Sequence, residues 1–137
     1  MKIIVLQGKR NSGKTTTIWY VRDLIINNNG NSKELIVFGK QSHYEDDFSD
    51  VIDFNNLKIG MFSMGDLSNN LSQAIYKFAN KGCDVVICAL SLSGSKIRAN
   101  QAINTYIATR VDKTIEHNKD LRTQVNRMDA QTIFNLI

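Results

Sequence analysis

Ile3-Ile4-Val5-Leu6-Gln7-Gly8-Lys9-Arg10-Asn11-Ser12-Gly13-Lys14-Thr15 is the stretch on which the fold turns. The short apolar run Ile3 to Leu6 suits a buried parallel strand. The segment from Thr15 to Asn28 carries helical periodicity, with Ile18, Val21, Leu24 and Ile25 on one face. Between them, Gly8 to Thr15 follows the spacing G-x-x-x-x-G-K-[ST] without a departure. Composition alone would produce this pattern in roughly 0.5% of chains of this length.

The spacing has a physical reason. Glycines let the backbone turn tightly, so that successive N–H groups converge on one point, and the helix that follows aims its positive dipole end at the same place. Such a cradle suits phosphate oxygens. The loop residues Gly8, Lys9, Arg10, Asn11, Ser12 and Gly13 supply the backbone. Lys14 reaches the β- and γ-phosphates with a flexible ammonium, the Thr15 hydroxyl serves as one Mg²⁺ ligand, and Thr16 caps the helix or meets the α-phosphate.

On these residues the chain resembles the P-loop nucleoside triphosphatase superfamily, as a small kinase-like member. The resemblance covers about the first forty residues. It implies binding of a nucleoside triphosphate and Mg²⁺ on an α/β, three-layer P-loop NTPase fold: a mainly parallel sheet with helices on both faces. It also implies an acidic residue at the end of a neighbouring apolar strand, to hold Mg²⁺ directly or through water. The most apolar strand, Asp84 to Leu90, ends in Ala89-Leu90-Ser91 and offers none. Asp66, after Ile59 to Gly65, is therefore the residue selected, although a helix N-cap at Asp66 explains it as well.

The 137 residues, 42% hydrophobic and 22% charged, fit one domain, residues 1–137, with a full core. The net charge of +4 suits an anionic ligand. The basic residues are spread along the chain, so a nucleic-acid partner is admitted without being indicated. No stretch approaches a membrane span and no signal peptide precedes the first strand, so the expected location is cytoplasmic, with no membrane partner. Cys83 and Cys88 flank a buried strand far from either histidine and read as structural thiols.

The chain has no proline, so boundaries come from glycine, asparagine and changes of period. The first helix ends near Gly30, expected to supply a left-handed cap. A second strand is expected over Glu34 to Gly39, then a loop over residues 41–50. Val51 to Phe54, Asn55-Asn56 and Leu57 to Met64 read as a β-hairpin insertion. A helix follows from Leu67 to Asn80, with Gly82 ending it, then the strand Asp84 to Leu90. A third helix is expected from Lys96 to Ala108, with Ala99, Ala102, Ile103, Tyr106 and Ile107 inward. A short strand near Lys113 to His117 and a helix from Leu121 to Leu136 finish the chain.

Further site candidates follow. Of Glu45, Asp46 and Asp47, Asp46 is selected to position an acceptor hydroxyl. Arg98, starting the third helix after the Ser91 to Ser95 loop, is selected to meet charge in the transition state. That loop is itself a candidate for phosphate or nucleobase contact. Asn80-Lys81-Gly82-Cys83 lacks the acid of a guanine-recognition motif, and Asp66 is followed by Leu67-Ser68-Asn69 rather than by a switch glycine. ATP is the expected nucleotide by that elimination. Three functions remain open: a phosphotransferase with Lys14, Asp66 and Arg98 as catalytic residues and a nucleotide or other small acceptor; an ATPase or nucleotide-gated module with a protein partner; and a non-catalytic nucleotide-binding protein.

Overall fold

The computed structural model describes residues 1–40 and 42–137. Strand β1 (Lys2–Gly8) runs into helix α1 (Lys14–Asn27) across the glycine loop. Two short strands, β2 (Asn31–Ser32) and β3 (Ile36–Val37), precede the hairpin of β4 (Phe48–Phe54) and β5 (Leu57–Phe62). Then come α2 (Ser68–Asn80), β6 (Val85–Ser91), α3 (Ile97–Asn104), β7 (Ile107–Asp112) and α4 (Lys119–Phe134).

The seven strands form one sheet in the order β2-β4-β5-β6-β1-β7, with β3 beside β2 on the outer edge of β4. β5, β6, β1 and β7 are mutually parallel. The contacts of β4 with β2, β3 and β5 are all antiparallel. The sheet is thus mixed rather than mainly parallel. The hairpin is the cause, since a two-residue turn at Asn55 and Asn56 (φ 50° and 63°) can join only antiparallel strands.

Period-two alternation sorts each central strand between two cores. Ile4 and Leu6 of β1, with Val85, Ile87 and Ala89 of β6, pack against Ile18, Val21 and Ile25 of α1 and Ala130 and Ile133 of α4. Ile3 and Val5, with Val86, Cys88 and Leu90, pack against Leu71, Ile75 and Phe78 of α2 and Ala99, Ala102 and Ile103 of α3. Helices therefore cover both faces, which is why β1 and β6 are apolar without a polar side.

Several boundaries differ from expectation. The third helix stops at Asn104, and Ile107–Asp112 forms β7 on the free edge of β1. Tyr106 and Ile107 continue the helical spacing from Ile103, but Ile107, Thr109 and Val111 are β-branched at alternate positions, and a place beside β1 decides the conflict. Ile107 is accordingly 79% exposed, not buried. The strand expected near Lys113 to His117 is a loop. The strand expected over Glu34 to Gly39 shrinks to Ile36–Val37, and Phe48 to Asp50, expected in a loop, begin β4. Gln41, part of that expected loop, lies outside the described residues. Asn29 (φ 74°), not Gly30, takes the left-handed position after α1, while Gly82 (φ 78°) ends α2 as expected. No described helix is long and apolar enough to cross a membrane.

Candidate functional site

The glycine loop lies at the carboxyl ends of β1 and β6, where open α/β sheets place ligands. Gly13 is left-handed at φ 93°, and a Cβ there would come within 2.8 Å of Asn126 Oδ1 on α4. Position 13 therefore favours glycine for its left-handed backbone, and any Cβ there would have to displace the Asn126 amide. Ser12 Oγ donates to the Lys9 carbonyl at 2.7 Å, closing the loop on itself.

Lys14 is buried, and its Nζ folds back to donate to the carbonyls of Gly8, at 3.0 Å, and Lys9. Burial pulls its ammonium below the ordinary value; Asp66 opposes that, Lys113 reinforces it, and Asp47 opposes it more weakly. Thr15 Oγ1 donates to Asp47 Oδ1 at 2.8 Å, and Ser63 Oγ donates to the same oxygen at 3.0 Å. Thr16 Oγ1 donates to the Tyr44 carbonyl at 2.9 Å. The first turn of α1 thus holds the segment before β4 by two adjacent threonines.

These groups line a cavity of about 680 Å³. Its floor is Lys9 to Thr16, one wall carries Glu45, Asp47, Ser63, Gly65 and Asp66, and the other carries Thr114 to His117 with Arg122, Val125 and Asn126 of α4. Asp129 builds that second wall: its carboxylate accepts from Lys113 Nζ at 3.0 Å, Thr114 N at 2.8 Å and Thr114 Oγ1 at 2.7 Å. Gly65 lets the backbone cross the end of β6, since a Cβ there would lie 2.6 Å from the Ala89 carbonyl oxygen.

All the loop residues from Lys9 to Thr16, and Asp66, are brought together here; Gly8 contributes its carbonyl to Lys14. Asp66 does not cap α2, because Leu67 occupies the N-cap and no side chain bonds there. Its carboxylate instead sits 3.9 Å from Arg10 Nε, both largely exposed. Arg98 is exposed on α3 and does not line this cavity, nor does any residue of Ser91 to Ser95. Asp46 is buried beneath, its carbonyl accepting from Trp19 Nε1 at 2.8 Å. Asp47, the neighbour passed over in sequence, is the carboxylate on Thr15.

A signal for Asp47 was present. The Asn55-Asn56 turn pairs Phe54 with Leu57 and Ser49 with Phe62. Counting back two more residues sets Asp47 opposite Met64, beyond the end of β5 and at the mouth of the glycine loop.

Among the described residues no group of three or more His, Cys, Asp or Glu is placed to hold a metal by itself. A hydroxyl and one carboxylate are nonetheless oxygen donors of the kind Mg²⁺ takes when phosphate oxygens and water complete its shell, so the Thr15 and Asp47 pair fits that ion. Comparison of the chain with protein-family models, with curated proteins and with solved structures finds no match.

Proposed function

We propose that the chain is a P-loop nucleotide-binding protein that takes ATP with Mg²⁺ at Gly8 to Thr16 and acts as a small kinase-like phosphotransferase on a nucleotide or other small acceptor. The observation that carries this reading is the convergence of the glycine loop, Lys14 and the Thr15 and Asp47 pair on one cavity. The loop amides and the α1 N-terminus cradle the phosphates. Lys14 exchanges its bonds to the Gly8 and Lys9 carbonyls for phosphate oxygens, which restores charged partners to a buried ammonium. Mg²⁺, when bound, neutralises charge on the β- and γ-phosphates. Thr15 and Asp47 would hold it, and Asp66, on the same wall, would supply a second carboxylate to its water shell or to an acceptor hydroxyl. Arg10 and Arg122, on the cavity lining, are better placed than Arg98 to meet charge during transfer.

Phosphorus NMR of the purified chain with ATP and Mg²⁺, alone and then with pooled nucleosides, nucleotides and phosphorylated metabolites, tests this reading, with Lys14→Ala as control. A new phosphoester that Lys14→Ala abolishes supports phosphotransfer; its absence across saturating acceptors removes that activity.

A second reading, a nucleotide-gated interaction module, is favoured by the hold of Thr15 and Thr16 on Asp47 and Tyr44. A ligand that recruits the Thr15 hydroxyl removes one of the bonds that hold the segment, leaving those of Thr16, Trp19 and Ser63, and so loosens it. Trp19, the sole tryptophan, stacks on Phe48 at 3.9 Å and bonds the Asp46 carbonyl, so its fluorescence reports such a movement. Phosphate release without a phosphoester, accompanied by a change in Trp19 emission, would favour this module.

A further inference from the structure

The outer edge of the sheet carries an unusual apolar run. Leu35, Ile36, Val37 and Phe38 are 42–49% exposed, and no charged residue lies between Glu34 and Lys40. Sheet edges are ordinarily blunted by a charge, a proline, a covering loop or shortness, and β3, two residues long, has only the last. β3 pairs with β4 alone. Phe38 N donates to the Asp47 carbonyl at 2.7 Å, so by antiparallel alternation Ile36 and Phe38 turn their backbone groups toward β4. Val37, between them, turns its N–H and C=O to the open side.

Ile36 and Phe38 also line an apolar groove of about 460 Å³ against Met64, Ala74 and Phe78. We propose that this edge pairs with the same edge of a second copy of the chain, antiparallel and centred on Val37, to make a two-fold dimer with one continuous sheet. The proposal is independent of what the glycine loop binds.

The register follows from parity and charge. Hydrogen-bonded pairs across the new seam must involve residues whose backbone groups point outward, and a centre on Val37 satisfies that with Val37 facing itself. It sets Ile36 opposite Phe38 of the second copy, so that the two grooves share an apolar strip. It sets Leu35 opposite Gly39, which leaves room for the leucine. It sets Glu34, whose carboxylate already accepts from Lys81 of its own chain at the end of the groove, opposite Lys40, a second opposite charge. Centring between Ile36 and Val37 would instead oppose Lys33 to Lys40.

Sedimentation equilibrium of the full chain over a range of concentrations tests the dimer. Val37→Lys places like charges face to face and is expected to raise the dissociation constant about tenfold or more, with the thermal melt of the monomer unchanged because the side chain is exposed. Glu34→Lys is expected to weaken the dimer and Glu34→Lys with Lys40→Glu to restore it. The register has its own readout. Ile36 and Phe38 of the second copy form a non-hydrogen-bonded pair, with Cα atoms about 4.5 Å apart and side chains closest, so oxidising a mixture of Ile36→Cys and Phe38→Cys chains is expected to give a covalent dimer, and either variant alone far less. The native Cys83 and Cys88 are buried and do not interfere. A chain that stays monomeric leaves the edge to an extended segment of another protein and overturns the proposal. A dimer indifferent to Val37→Lys, or cross-linked equally well from Ile36→Cys chains alone, overturns it too.

Discussion

Thr15 Oγ1 and Asp47 Oδ1 lie 2.8 Å apart, joining the first turn of α1 to the residue that leads into β4. Thirty-two positions separate them in the chain. Their contact brings a carboxylate to the mouth of the glycine loop.

Asp47→Asn keeps the size of the side chain and removes its charge. It is expected to abolish most of the gain in ATP affinity that Mg²⁺ confers, about tenfold or more, while leaving metal-free binding nearly unchanged. Asp66→Asn is expected to act less on affinity and more on turnover. Calorimetric titration with and without Mg²⁺ separates the two. Equal losses in the metal-free titration would count against Asp47 as a ligand.

Lys14 gives a dependence on pH. Its folded-state value lies below the ordinary 10.5, chiefly because of burial. Below that lowered value both folded and unfolded chains carry the proton, and the ligand-free fold bears the cost of a buried charge. As pH rises from the lowered value toward 10.5, the folded chain binds fewer protons than the unfolded one, and the cost fades. The wild-type chain is therefore expected to gain stability relative to Lys14→Met across that window, measured by urea unfolding at successive pH. ATP affinity should fall over the same range, because the neutral amine no longer meets phosphate. A stability gap that stays flat would refute the burial account.

Asp50 is 1% exposed and accepts from Arg22 Nε at 2.9 Å, Ser32 Oγ at 2.7 Å and the backbone of Glu34 and Val51. Asp50→Ala strands the largely buried Arg22 charge and several donors at once. A loss of about 3 kcal/mol is expected in urea unfolding, in line with breaking other buried pairs. Asp53→Ala, at an exposed ion pair with Lys33, should cost well under about 1 kcal/mol.

Burial pushes the thiol of Cys83 up to about 11 and that of Cys88 up to about 12. Neither is expected to react with iodoacetamide at pH 8 in the folded chain, and both should react in urea. Modification of native protein, read by mass spectrometry, would show that β6 opens if at Cys88, or that the turn between α2 and β6 opens if at Cys83.

How much of this was legible depends on the range of the interaction concerned. The glycine loop, α1, the Asn55-Asn56 turn and the Gly82 stop are local: backbone angles that glycine and asparagine tolerate, and a helical stripe within one window, write them directly in the residues. The end of α3 was not legible, because Ile103, Tyr106 and Ile107 satisfy the helical period while the edge of β1 requires a strand. Nor was the choice between Asp46 and Asp47, neighbours of the same chemistry.

The sequence by itself determined a glycine loop between a buried strand and a helix, an apolar central strand at β6, and a hairpin. Only the tertiary structure decided that Asp47 faces Thr15 while Asp46 goes under Trp19, and that Arg98 stands away from the cavity. It also decided that Asp129 of α4 braces the second wall. The physical reason is that these placements depend on strand register and helix packing, which join residues far apart in the chain, whereas a loop or a turn is specified by the conformations its own residues can adopt.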